Sequence, residues 1–162
     1  MKAYINRTAT FAWSPATYES DSPLIATGTV AGALDESFSN ESVLELWQPS
    51  YTASASASAD AKPLGSISTS ARFNRLAWGY ANPSRPNGLL AAGLENGELG
   101  IWDAQKILAG ASESDAQVIK NTTHTGPVRG LDFNPLQPNL LSSGAVAGEI
   151  FIWDLNSPAK PY

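Results

Sequence analysis

One pattern recurs three times along this chain and limits its fold more than any other feature: an apolar, strand-like run that ends in tryptophan. The runs are Val43 to Trp47, Glu98 to Asp103 and Glu149 to Leu155. Their tryptophans, Trp47, Trp102 and Trp153, lie 55 and 51 residues apart. Upstream of each stands a second landmark: Leu24 to Gly28, Leu89 to Gly93 and Leu140 to Gly144. Further upstream stands a third: Phe11 to Pro15, Leu76 to Gly79 and Leu131 to Pro135. Three landmarks in one order, three times, mark an internal repeat of one supersecondary unit.

Each unit reads as strand, turn, strand, turn, strand. In the third, Val128 to Phe133 is a strand, and Pro135 and Pro138 break the chain before a second strand, Leu140 to Ser143. Gly144 to Gly148 is the hairpin and Glu149 to Asp154 the third strand. Proline marks turns because it fixes φ and lacks an N–H. Glycine supplies the positive φ of tight hairpins. In Ile150-Phe151-Ile152-Trp153, side chains alternate between faces yet all are large and apolar. A sheet wet on one side alternates apolar with polar. This pattern predicts a layer packed on each face, as in a propeller, where every blade sits between two neighbours.

Spacers stretch the repeat period beyond the usual unit of about 40–45 residues. A long insertion separates Gly28 from Val43, and a Ser/Ala tract, Ser50 to Ala61, reads as a surface loop. Lys62 to Ser68 and Gln117 to Asn121 read as outer strands of the first and second units. Ala104 to Ala111 reads as one or two helical turns in a connecting loop, and Met1 to Asn6 as a further outer strand. The expected organisation is a single partial propeller: residues 1–68, 69–122 and a truncated third blade, 123–162.

Composition excludes several functions. With no Cys and one His, disulfides, thiolate metal sites and multi-histidine zinc sites are ruled out. The net charge is −5 and no basic stripe occurs, which argues against nucleic acid and bare anionic membranes. Arg72 and Arg75 beside Phe73 and Trp78 read as strand residues with exposed tips rather than a nucleic-acid patch. No segment reads as a signal peptide or membrane span, so any membrane association is expected to be peripheral and through a partner. No cofactor motif is found; Gly93 to Gly97 lacks the Lys-Ser/Thr of a phosphate loop.

The third unit carries the sharpest local signal. His124-Thr125-Gly126-Pro127-Val128, then Leu131 to Pro135, then Ser142-Ser143-Gly144, then Ile152-Trp153-Asp154 resembles a WD repeat. In that family a His, a Ser or Thr, a turn Asp and the Trp form a hydrogen-bond chain, because a buried imidazole and indole each need partners. The resemblance places His124, Ser143 (or Ser142) and Trp153 in three roles, with Asp154 and Asp103 as the Asp of the Trp–Asp pairs. The turn Asp falls on Ala147, so the chain is expected to be broken. In the second unit Asn96 substitutes in part, and the first unit keeps only Trp47. Gly28, Gly93 and Gly144 complete the repeat residues. His124 also invites a general-base reading. No Gly-x-Ser-x-Gly elbow accompanies it, so the expected role is structural and the chain is expected not to be an enzyme.

A narrower resemblance covers residues 7 to 156. Arg7-Thr8-Ala9 followed by Ala12-Trp13-Ser14-Pro15 looks like the start of the large outer-cage subunits of the COPII vesicle coat. Ala26 to Thr29, Leu34 to Ser39, and Glu95 to Gly97 running into Ile101 to Asp103 and Lys106 to Leu108 resemble the same family, as does His124 to Asp132 continuing to Asn139-Leu140, Ser143 to Ala145 and Glu149 to Asn156. That resemblance implies a scaffold in vesicle formation and cargo transport from endoplasmic reticulum to Golgi, peripheral on the cytosolic membrane face. The implied partners are the small propeller subunit of the outer coat, further copies at cage vertices, and the inner coat through regions absent here. A WD-repeat adaptor of a ubiquitin ligase or chromatin complex is the other reading, since fold alone does not choose between them. Either way the expected fold is all-β: an open, incomplete propeller of about three four-stranded blades. Such a wedge is expected to expose an apolar sheet face at each end, and to be poorly soluble or self-associating when isolated.

Overall fold

The protein was analysed as a computed structural model, which describes residues 5, 7–15, 22–30, 41–49, 62–158 and 160–162. The tract Ser50 to Ala61, the segment Leu34 to Ser39 and the strand expected at Met1 to Asn6 (Ile5 apart) lie outside the described residues.

Three antiparallel sheets follow one another along the chain. The first holds β1 (Ala9–Trp13), β2 (Ile25–Thr29), β3 (Ser42–Trp47) and β4 (Gly65–Thr69), side by side in that order. The second holds β5 (Phe73–Gly79), β6 (Leu89–Leu94), β7 (Leu99–Asp103) and β8 (Gln117–Asn121). The third holds β9 (Val128–Phe133), β10 (Leu140–Ala145) and β11 (Ile150–Asp154). None closes on itself, and together they form an open partial propeller. Tyr162 exchanges both backbone hydrogen bonds with Ile152 on the outer edge of β11.

The punctuation follows the sequence. The β6–β7 and β10–β11 hairpins turn on Gly97 (φ 86°) and Gly148 (φ 88°), left-handed positions that disfavour a Cβ. The outer strand of the second blade is Gln117–Asn121, as expected; that of the first, Gly65–Thr69, starts later than Lys62. Between β7 and β8 lie two short helices, α1 (Ala104–Leu108) and α2 (Glu113–Ala116), of which the sequence announced only the first. Helix α1 packs so closely on the first blade that a Cβ on Gly65 would lie 2.4 Å from the carbonyl oxygen of Ile107.

The core lies between blades. Leu44, Leu46 and Ile67 of the first blade pack with Leu76, Trp78, Leu90 and Trp102 of the second. Leu99, Ile101 and Ile119 of the second pack with Leu131, Leu141 and Trp153 of the third. Fully burying one such side chain contributes about 1.5–3 kcal/mol, so these two seams hold the wedge together. Small residues set the spacing. A Cβ on Gly28 would lie 2.6 Å from the Phe73 ring, and one on Gly93 would lie 2.7 Å from Val128. Each glycine thus admits the first inner-strand residue of the following blade.

Strand register makes Leu44, Leu99 and Ile150 equivalent, and likewise Leu46, Ile101 and Ile152. The first two of each set are fully buried, whereas Ile150 is 74% and Ile152 36% exposed. The layer expected on both faces of β11 is therefore present on one face only. At the other end, Phe11 corresponds to Leu76 and Leu131. It is 60% exposed where they are buried, because the described residues place no blade before the first.

Candidate functional site

The polar centre of the molecule is the seam between the second and third blades. His124 arrives on the loop after β8, Ser143 on β10, Trp153 on β11, and Glu149 just after the Gly148 turn. Trp153 Nε1 donates to Ser143 Oγ at 2.8 Å. Ser143 Oγ lies 2.7 Å from His124 Nε2, and His124 Nδ1 lies 3.1 Å from Glu149 Oε2. One assignment satisfies every member. The indole N–H donates to the hydroxyl, the hydroxyl to Nε2, and Nδ1–H to the carboxylate, which can only accept. Glu149 also accepts from the backbone N–H of Thr125 at 2.9 Å and from its hydroxyl at 2.6 Å. These two bonds, then the His124 contact, hold the Glu149 carboxyl below its ordinary value. Phe151 lies against the imidazole, with ring centroids 4.7 Å apart.

This geometry corrects the expectation of a broken chain. Ala147 does stand where the family has its turn Asp, yet the carboxylate comes from Glu149, two residues later. A longer side chain, set at the start of the strand, reaches the same imidazole. The sequence held the signal: Glu98 and Glu149 each follow the hairpin glycine and stand four residues before the tryptophan. Ser143 and not Ser142 joins the chain; Ser142 Oγ donates to the Asp132 carbonyl instead.

The tryptophans on the third strands of the other two blades are treated differently. Trp47 does not stand alone in the first blade, because its Nε1 donates to Thr27 Oγ1 at 2.8 Å. Thr27 pairs with Glu45 as Ser143 pairs with Phe151, so the two hydroxyls are equivalent. Arg7 completes this blade, with bonds of 2.7 and 3.1 Å to the Glu45 carboxylate and its guanidinium 5.1 Å from the Trp47 ring centre. In the second blade the equivalent residue is Ala92, and Trp102 Nε1 has no partner among the described residues. Asn96 does not stand in; its Oδ1 accepts from the Glu98 backbone at 3.1 Å within the turn. Glu98 is buried and meets Lys120 Nζ at 3.1 Å.

The Asp of each Trp–Asp pair has a turn to hold. Asp103 Oδ1 accepts from Gln105 N at 2.9 Å and caps α1. Asp154 Oδ1 accepts from Asn139 Nδ2 at 2.9 Å and from Asn156 N at 3.0 Å, which hold its carboxyl below the ordinary value.

Ser143, His124 and Glu149 share the composition of a hydrolase triad, but not its accessibility. Ser143 is 1% exposed, its oxygen already accepts the indole N–H, and the imidazole is enclosed. A nucleophile must reach a carbonyl beside oxyanion donors, and this one faces a tryptophan. The arrangement braces a loop to a hairpin. No helix among the described residues is long and apolar enough to cross a membrane.

Comparison with known proteins agrees with this architecture. The chain is 92% identical to the protein transport protein SEC31 of Mycosarcoma maydis, aligned over all of this chain and 12% of that protein. The chain belongs to the Sec31 family. The family's proteins from Neurospora crassa and Aspergillus fumigatus are 43% and 49% identical over 98% of the chain. The chain spans 12% of the length of each of these Sec31 relatives. Among solved structures, a chain of the COPII outer coat vertex on membranes matches 96% of this one at 36% identity, with a TM-score of 0.73. That match covers 37% of the solved chain. A chain of the Polycomb Repressive Complex 2 from Chaetomium thermophilum superposes with a TM-score of 0.66 at 15% identity, a likeness of fold alone. No model of a known protein family matches this Sec31 sequence.

Proposed function

We propose that this chain is a non-catalytic scaffold segment of the COPII outer coat, acting in vesicle formation and transport from endoplasmic reticulum to Golgi. The observation that carries the reading is the match to the outer coat vertex chain, 36% identical over nearly the whole length. Family membership supports it, as does a polar centre that binds no exposed group and serves only to brace strands.

In this reading the partners are the small propeller subunit of the outer coat and further copies of the large subunit at cage vertices. The inner coat is contacted through regions outside this chain. The site of action is the cytosolic face of endoplasmic reticulum and COPII vesicle membranes, reached through protein partners. The adaptor reading has only fold-level support, since the chromatin-complex likeness is 15% identical.

The test is reconstitution. Labelled chain is added to COPII coats assembled on liposomes, and density is located by cryo-electron tomography. Label concentrated at outer-coat vertices is the expected result. Label absent from coats, or spread evenly over bare membrane, contradicts the proposal.

A further inference from the structure

We propose that Ser157 is a phosphoacceptor for a proline-directed serine/threonine kinase of the class that selects a basic residue three positions on. The sequence supplies both determinants. Pro158 follows the serine, and Lys160 stands at the third position after it. Proline has no amide N–H, so a kinase pocket that offers no acceptor takes it without leaving a donor unpaired. Lys160 supplies the charge that an acidic pocket on the kinase selects, and charge patterns of this kind set kinase choice. The chain holds two other Ser-Pro pairs, Ser14-Pro15 and Ser22-Pro23. Each has an uncharged residue, Thr17 or Ile25, at the third position.

The turn after β11 presents this serine. Ser157 and Lys160 are both exposed, and the Ser157 hydroxyl has no hydrogen-bond partner among the described residues. A single backbone bond, from the Ser157 N–H to the Asp154 carbonyl at 2.9 Å, closes the turn. Ser14, by contrast, is half-buried, and its Oγ accepts from the Leu24 N–H at 3.0 Å. The exposure of Ser157 does not come from the open face of the third blade, because the second blade, packed on both sides, makes the same start to its turn. Ala104 N donates to the Gly88 carbonyl as Leu155 N donates to that of Asn139, and Asp103 and Asp154 accept from Gln105 N and Asn156 N. Lys106 stands where Ser157 stands and is exposed as well. There the chain runs on as α1. Pro158 prevents a helix here and biases Ser157 towards the extended backbone in which kinases bind their substrates.

The co-substrate is ATP. Ser157 Oγ forms a bond to the γ-phosphorus while the bond from that phosphorus to the β–γ bridging oxygen breaks, and ADP leaves. The hydroxyl proton passes to the base of the kinase and then to water. The product carries about −1.5 to −2 of added charge at neutral pH. That charge lies close to Asp154, on the turn whose Asn156 Oδ1 accepts the Tyr80 hydroxyl across the second seam. The proposal rests on the turn and its sequence and not on the coat reading.

Phosphorylation of the 162-residue chain by a cyclin-dependent kinase with magnesium and ATP tests it, with the β-rich circular dichroism spectrum checked beforehand and the phosphate located by tandem mass spectrometry. One phosphate, on Ser157, is the expected product, and Ser157→Ala is expected to abolish it. Lys160→Ala is expected to lower kcat/KM for the chain by at least about tenfold. Ser14→Ala and Ser22→Ala are expected to leave labelling unchanged. No incorporation, phosphate mainly at another residue, or full labelling of the Lys160→Ala chain would each overturn the proposal. A synthetic peptide of residues 150–162 separates sequence from fold. The folded chain is expected to be labelled within about tenfold of the peptide's kcat/KM. A peptide that is labelled while the folded chain is refractory would show that the turn withholds Ser157, and this too would overturn the proposal.

Discussion

Trp102 and Trp153 occupy the same position in successive blades, and both are fully buried. One has a hydroxyl, an imidazole and a carboxylate in series behind its N–H; the other has an alanine and no partner. The blade around Trp102 is nonetheless the best covered of the three, with β6 and β7 buried almost throughout. Packing therefore fixes the tryptophan, and the polar chain is an addition that a blade can lack. The difference lies in neighbours. The second blade is sealed on both faces by apolar seams, while the third is sealed on one. Its polar chain ties the loop at His124 to the hairpin at Glu149, on the blade with the least apolar cover.

The largest effect expected is from truncation. Trp102→Ala and Trp153→Ala should each cost about 3–5 kcal/mol in denaturant unfolding, because both empty a packed site. If Trp102→Ala proved nearly neutral, packing would not be what fixes this position. His124→Ala comes next, at about 1–3 kcal/mol, since it leaves the Ser143 hydroxyl without its buried acceptor. No equivalent substitution exists in the second blade.

Trp→Phe separates the two residues more finely. It removes the N–H and part of the ring in both, but only at Trp153 does it strip Ser143 of a donor. Trp153→Phe is expected to cost about 1 kcal/mol more than Trp102→Phe. Equal costs would mean the indole bond adds nothing. The smallest effect is in pH dependence. Glu149 has a lowered carboxyl pKa when folded, so its contribution is present above the unfolded carboxylate range. That contribution is lost as pH falls through the folded value. Glu149→Gln should flatten the acid-side loss of stability, read as the midpoint of thermal unfolding across mildly acid pH. An unchanged acid slope would remove Glu149 from the chain.

Much of this was legible in the sequence, for reasons that differ by residue. The repeat was readable because tryptophan, glycine and proline are each tied to one backbone or packing need, and Gly28 and Gly93 are held by contact with the next blade. His124, Ser143 and Trp153 were readable because the third unit resembles a WD repeat, which implies a His on the loop before the inner strand and a hydroxyl and a Trp on the two strands after it. The closing carboxylate was not, because the family pattern points to the turn residue Ala147. A glutamate two positions on reaches the imidazole only through its longer side chain. Thr27 and the Arg7–Glu45 pair were missed because no histidine announces that blade. Helix α2 is four residues long and capped by Ser112, too short to leave a periodic pattern.

The bond between Ser143 and Trp153 is the point at which the two blades part most clearly, and a double-mutant cycle measures it. Ser143→Ala, Trp153→Phe and the double variant are compared by equilibrium unfolding, with Trp102→Phe replacing Trp153→Phe as the control pair. The expected result is a coupling of about 1 kcal/mol for Ser143 with Trp153, and additivity within about 0.5 kcal/mol for Ser143 with Trp102. Additivity in both cycles would contradict the claim that the third blade is braced by its polar chain.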